Sequence, residues 1–418
     1  MLQNKSFFFL ALVVVMLVSG GRLLAQKSTS SLYSQYGLGD LQSPGFAKNL
    51  GMGGLSATVT GSNAINIGNP ASYAAIELTT FEAGMASNFV KYATSDNTVP
   101  TDATNNTMVR YMAFAFPVSK KWGTSVGLVP YSYVGYETGF NQNTSIGNAH
   151  YFYKGTGGVN QFYIGNAYKI DKNFSVGLNV SYLFGNITKQ KSVAFDPASN
   201  ALNTLNTTTY NLGDFNFNYG ALYTTPLSTN HTMTIGITGS FDRNVKTVLN
   251  SFNLQYYEKN GVSLSRDTGG TSLDSKGTVF IPGYLGGGIA FSKTNVWTAG
   301  IEYQIQNWSQ YSAFEKSDSL TNSSKIIFGA EYNHSRFQYR VGARYQGTNL
   351  MVNGTQIKEY AASAGIGIPI SRAFSYINIS AELAERGALT NGLIREQYLR
   401  IMIGLTLSDR WFIQRKFD

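Results

Sequence analysis

Three histidines, His150, His231 and His334, are the residues of this 418-residue chain best suited to proton transfer or metal binding, and there is no cysteine. A metal site needs several such ligands at one point, and a Ser-His pair must come within hydrogen-bond reach. His150 falls in a predicted long loop and the other two in predicted tight turns at the opposite end of the fold. The expectation is no metal site, no catalytic residue, no cofactor and no enzyme. Gly51-Met52-Gly53-Gly54 is glycine-rich but lacks the Lys-Ser/Thr of a phosphate-binding loop; small residues for close packing explain it better. The remaining polar chemistry is ionic. Glu302, Lys325, Glu331, Arg340, Arg344, Glu382 and Arg400 sit at alternate positions of strand-like stretches, on the face opposite the apolar residues. They form a predicted interior charged network. Two readings are open: the charges pair with one another and with an inserted segment, or some of them meet a ligand.

These residues must be positioned by strands. In residues 173–186, Phe174, Val176, Leu178, Val180, Tyr182 and Phe184 alternate with Ser175, Gly177, Asn179, Ser181 and Gly185. Leu399, Ile401, Ile403, Leu405 and Leu407 alternate with Arg400, Met402, Gly404, Thr406 and Ser408. Fourteen such stretches are predicted, from 77–92 to 395–411, including 121–139, 158–170, 231–245 and 278–292. Most run about 12 residues or more, long enough to cross a bilayer at a tilt. The gaps alternate short and long, with 140–157, 187–206 and 246–277 among the long ones. That alternation fits tight periplasmic turns and longer extracellular loops. The 246–277 gap has room for an extra hairpin. Gly286-Gly287-Gly288 is expected to mark a kink or a close approach of the inserted segment. Trp122, Tyr131, Tyr133, Tyr136, Trp308, Tyr311, Trp411 and Phe412 lie at strand ends, where rings favour headgroup level.

Composition agrees. Only 13% of residues are charged, against about 25% in an ordinary soluble domain, while 14% are aromatic and 44 are glycine. Residues 1–26 read as a cleaved signal peptide, with Lys5, an apolar core from Phe7 to Val18, and Leu24-Ala25-Gln26 at the cut. Removing Lys5 and Arg22 takes the net charge from +9 to +7. A mild positive balance suits outer-membrane lipid and lipopolysaccharide; nucleic acid is not an expected partner.

Between the signal and the first strand, residues 27–76 are rich in Gly, Ser, Asn and Ala, with almost no charge. They read as a plug segment inside the barrel of residues 77–418. Asn69-Pro70-Ala71 reads as a turn, with Asn69 held extended before proline. Tyr36, Phe46 and Met52 either pack on the wall or line an apolar pocket. Pro130 falls mid-strand, where it cannot donate a ladder hydrogen bond.

The order of several motifs resembles the FadL-type long-chain fatty acid transporter family, in its Bacteroidota branch. They are Tyr33-Ser34-Gln35-Tyr36-Gly37-Leu38-Gly39-Asp40, Met52-Gly53-Gly54, Asn69-Pro70-Ala71, Gly127-Leu128-Val129-Pro130-Tyr131-Ser132, and residues 404–412, Gly-Leu-Thr-Leu-Ser-Asp-Arg-Trp-Phe. The resemblance implies an all-β fold: an outer-membrane antiparallel barrel of 14 strands with an N-terminal plug. It also implies uptake of a hydrophobic ligand by plug-gated, lateral passage beside Pro130. The alternative is a non-transporting accessory barrel with protein partners in a secretion, gliding or barrel-assembly complex. A transporter is expected to hold a continuous apolar path to the wall near Pro130. An accessory subunit is expected to have a filled bore.

Overall fold

A computed structural model describes residues 31–94, 103–196, 201–259, 262–267, 269–318, 320–370 and 374–411. Residues 1–26, predicted above to be a signal peptide, and the chain's last residues, Phe412 to Asp418, lie outside the described residues.

The wall is a closed antiparallel barrel of 14 staves. The first stave is β2 (Thr79–Ala93), after a two-residue strand β1 (Asp40–Leu41) in the N-terminal segment. Then follow β3 (Ala103–Pro117), β4 (Trp122–Thr144), β5 (Gly147–Lys169), β6 (Phe174–Phe195) and β7 (Asn203–Pro226). The seventh stave is in two pieces, β8 (His231–Ser240) and β9 (Arg243–Lys259), and β10 (Val262–Asp267) folds back on β9. The eighth is also split, into β11 (Ser272–Ile281) and β12 (Tyr284–Lys293). After β13 (Trp297–Gln306) a small hairpin, β14 (Ser312–Ala313) and β15 (Lys316–Ser317), leads to β16 (Ser323–His334). The last staves are β17 (Phe337–Val352), β18 (Thr355–Pro369), β19 (Tyr376–Arg386) and β20 (Arg395–Asp409). Pairing of β2 with β20, from Thr79↔Asp409 to Ala93↔Arg395, closes the ring.

Alternation drives this closure. Met85, Phe89, Phe162, Ile164, Ile237, Leu285, Phe328, Val341, Leu383 and Ile403 are exposed on the outside, while Glu82, Glu302, Arg340 and Glu382 are buried inside. In water such an outer face would be an aggregation surface; in a bilayer it is the solvated face.

Several expectations are corrected. The predicted loop 140–157 is strand, because β4 and β5 pair through to Thr144↔Gly147. Phe140 stacks on Tyr151 at 4.8 Å, and Lys154 pairs with Glu137 at 3.2 Å, so cross-strand contacts hold the hairpin beyond the apolar band. The predicted loop 187–206 is likewise mostly strand in β6 and β7. The triple glycine 286–288 is regular ladder between β8 and β13, and its nearest heavy atoms belong to strands. The break lies at Pro282-Gly283, where proline has no N–H and Gly283 donates to Asp242 at 2.7 Å. Trp308 and Tyr311 do not sit at headgroup level; they are buried in an interior apolar cluster with Tyr33 and Leu38, and Tyr131 and Tyr136 pack against it.

Candidate functional site

Residues 31 to 76 occupy the bore. Their elements are short: 3-10 helices at Leu32–Gln35 and Pro70–Ala75, and a five-residue helix α1 at Ala47–Gly51. None could stand alone in water. The wall fixes them instead, at three levels.

The first level, near the longer connections, is the cluster of Tyr33, Leu38, Trp308, Tyr311, Leu350 and Leu393. The third, near the short turns, joins Phe46, Ala47, Ile65, Tyr73 and Ile76 to Tyr111, Ala115 and Tyr163 of the wall. Phe46 stacks on Tyr111 with ring centroids 3.9 Å apart. Between the two apolar levels lies a polar one.

Wall acids hold the segment's backbone there and at the third level. The Glu302 carboxylate accepts from the N–H groups of Ser56 at 2.8 Å and Ala57 at 2.7 Å. Glu82 accepts from the Ile65 N–H at 2.8 Å. Ion pairs add to this. Arg386 contacts Asp40 at 2.7 Å and Glu396 at 2.6 Å, and donates to Ser31 Oγ at 2.7 Å. Lys48 reaches Glu331 at 3.3 Å, and Arg340 reaches the same carboxylate at 2.7 Å. Arg344 bridges Glu359 and Glu382, each at 2.9 Å, and Arg400 shares Glu382 at 3.2 Å. These charged residues fall into two clusters. Glu302, Arg344 and Arg400 line one interior chamber; Glu331 and Arg340 form a separate group with Lys48 and Asn378.

The chamber measures about 190 Å3. Gln161, Asn216, Asn218, Gln304, Lys325 and Glu359 are among its lining residues. Pro130 lines it too, but Tyr36, Phe46, Met52, Asn69, Pro70 and Ala71 do not. Met52 is buried under Gly329 and Gly342. Asn69 has the extended backbone expected before proline (φ −137°, ψ 102°) and caps the 3-10 helix by accepting from the Ala71 N–H at 3.1 Å. These residues pack the segment against the wall, outside the lining of that chamber.

The wall has a weak seam between β3 and β4. Strands β3 and β4 pair only from Met112↔Leu128 to Pro117↔Gly123, although β4 continues to Thr144. The β4–β5 register shifts between Pro130 and Ser132. Above that point the segment supplies partners for the free β4 edge. Asp40 and Leu41 pair with Tyr133 and Ser132, Gln42 donates to the Tyr131 carbonyl at 2.9 Å, and Ser31 donates to the Gly135 carbonyl at 3.0 Å. Arg110 of β3 donates to Gln42 from the other side. The segment thus stitches the seam from within.

Asp40, Lys48, Glu82, Arg110, Glu359, Arg386 and Glu396 make interior contacts that the sequence did not single out. Strand parity is the signal for Glu82 and Glu359, since each shares its strand's inward face with Gly84 or Ser363. Burial alone would raise the pKa of Asp40; the Arg386 guanidinium overrides it and holds the carboxyl below its ordinary 3.8. A depressed carboxyl stabilises docking above its unfolded pKa and loses that contribution as pH falls through the folded value. The Tm difference between the protein and Asp40→Asn should therefore be constant from pH 7 to 5 and shrink below about pH 4. A difference independent of pH down to 2 would remove the ion pair from the account.

Comparison with known proteins separates fold from family. The barrel superposes on the monoaromatic hydrocarbon channel CymD (12% identity, TM-score 0.51, covering 90% of this chain and 99% of that one). It also superposes on the Ralstonia pickettii toluene transporter TbuX (13%, 0.58, 88% and 98%) and the P. putida toluene transporter TodX (14%, 0.57, 89% and 100%). At these identities the likeness is one of fold. No curated protein matches the chain significantly. The BamG family model, by contrast, matches residues 5–418, and the chain belongs to the BamG family.

Proposed function

We propose that this protein is a non-transporting barrel subunit of an outer-membrane assembly complex, exported with signal peptide 1–26 and plugged by residues 27–76. It carries out no covalent chemistry. One observation carries the reading: the bore is filled by a segment clamped between two apolar levels, and the chamber left between them is lined by Glu302, Lys325, Arg344, Glu359 and Arg400 as well as by apolar groups such as Ile281 and Trp308. A hydrocarbon entering that chamber would leave its amide and charged groups unsolvated, at a cost of several kcal/mol. Membership of a family other than that of the hydrocarbon channels supports the same reading. Partners would meet the long hairpins, such as β4–β5, or the short turns.

A second reading is favoured by the β3–β4 seam. There a hydrophobic molecule would leave sideways into the membrane once β1 withdrew from β4. The two separate in one experiment, native mass spectrometry of the protein extracted from its own membrane in mild detergent. The subunit reading expects a protein partner at fixed stoichiometry and no small ligand. A co-purifying fatty acid or aromatic compound, lost on Pro130→Ala and without any protein partner, would overturn it in favour of uptake.

A further inference from the structure

An open groove lies on the outside of the barrel. It measures about 810 Å3 and lies over β16 to β20 and β2. The outward alanines Ala343 and Ala362 face each other in the ladder and form its floor. Phe328 and Leu383 stand on either side, and Tyr345 and Tyr360 close one end with ring centroids 5.2 Å apart.

That closed end marks the edge of the apolar band. Outward apolar positions run from Phe81 to Phe89 on β2, Tyr360 to Ile368 on β18 and Leu399 to Leu407 on β20. Each is nine residues long, and strands rising about 3.3 Å per residue at a tilt of about 40° span roughly 20–25 Å, the height of a lipid-facing band. Immediately beyond it, register aligns Tyr360, Glu385, Gln397 and Lys91 in one row across four strands. Lys358 and Arg395 lie two residues further out on the same face. Lys91 and Lys358 are exposed, and Arg395 Nε is buried with no hydrogen-bond partner among the described residues. The single acid of the row, Glu385, accepts from Gln397 Nε2 at 2.8 Å. By register, three basic groups thus lie just beyond the lining of an apolar groove, at the end of the barrel away from the short turns.

We propose that this groove is a binding site for a phosphorylated glycolipid of the outer leaflet. Acyl chains lie over Ala343 and Ala362, and a phosphate sits against Lys91, Lys358 and Arg395. Gln397 and Glu385 offer hydrogen bonds to sugar hydroxyls. The site faces lipid, so it stands whether or not the bore carries a solute.

The test is native mass spectrometry of the full-length protein in mild detergent. The probes are phosphorylated lipid A, its dephosphorylated form and phosphatidylglycerol. The protein should retain phosphorylated lipid A in preference to both others. Replacing Lys91, Lys358 and Arg395 together by Gln should weaken retention about a hundredfold. Ala362→Phe, which fills the groove, should weaken it without altering the folded barrel's heat-modifiable gel mobility. Equal retention of the dephosphorylated lipid, equal retention of phosphatidylglycerol, or unchanged binding by the triple variant would overturn the proposal. So would a photo-crosslinker at Ala362 that captures a protein instead of lipid in the native membrane.

Discussion

Glu302→Ala should free the middle of the N-terminal segment while leaving the barrel wall assembled. Glu302 is 2% exposed, and its carboxylate accepts from two consecutive backbone N–H groups, Ser56 and Ala57. Hydrogen bonds to a charged group are worth about 1.5–3 kcal/mol each. Removing the acceptor also leaves two buried donors without a partner, so the loss should reach about 3–5 kcal/mol. The ladder itself is untouched, because Glu302 pairs with Gly288 and Ile327 through backbone. Glu302→Gln keeps one acceptor oxygen and should cost about 1–2 kcal/mol. The measurement is protease cleavage within residues 50–65, read beside the heat-modifiable mobility of the barrel. A cleaved segment in a still-folded barrel is the expected result. Full protection in Glu302→Ala would mean that apolar packing alone seats the segment.

Residue parity explains why part of this clamp was legible in the sequence. Glu302, Glu331, Arg340, Arg344, Glu382 and Arg400 each interrupt a strand at an even step from small or polar neighbours, which places them inside. Arg386 and Glu396 pair with each other across the β19–β20 ends. Arg386 reads as loop, and Glu396 stands at the start of the 395–411 stretch, before its clear alternation begins. The β4–β5 extension was hidden for a different reason. Asn, Gly and Thr between Phe140 and Gly157 resemble loop composition, and what holds them as strand is pairing with a neighbour. Strand propensity is largely such context. The three-level filling of the bore was beyond sequence reasoning, since it depends on which wall residue meets each turn of the segment. Pro130 lies where the β3–β4 pairing has ended and the β4–β5 register shifts, and its missing N–H is a local property that sequence alone displays.

Gly342→Ala should displace the segment on the opposite logic, by adding an atom. A Cβ at Gly342 would lie 2.1 Å from Gly53 N and 2.2 Å from the Met52 carbonyl carbon. Both are backbone atoms, so no side chain can swing aside. On the far wall a Cβ at Gly236 would lie 1.9 Å from the Ala57 carbonyl oxygen. Overpacking of this kind costs about 1–3 kcal/mol where neighbours can adjust, and rigid backbone on both sides should push each substitution to about 3 kcal/mol or more. The two sites share no contact among their nearest atoms, so Gly236→Ala and Gly342→Ala together should add. Gly286→Ala is the control. Its nearest atom would be Thr238 Cγ2 at 3.4 Å, an ordinary contact, and the gain in unfolded-state restriction should leave stability level or raised by about 0.5 kcal/mol. Thermal unfolding with protease mapping of the segment distinguishes the cases. If Gly342→Ala behaves like Gly286→Ala, the segment does not press on the wall, and the closed bore that supports a non-transporting role loses its mechanical basis. If it behaves as expected, the wall glycines are explained as the seats of a permanent stopper, and a partner would dock on a barrel that does not open.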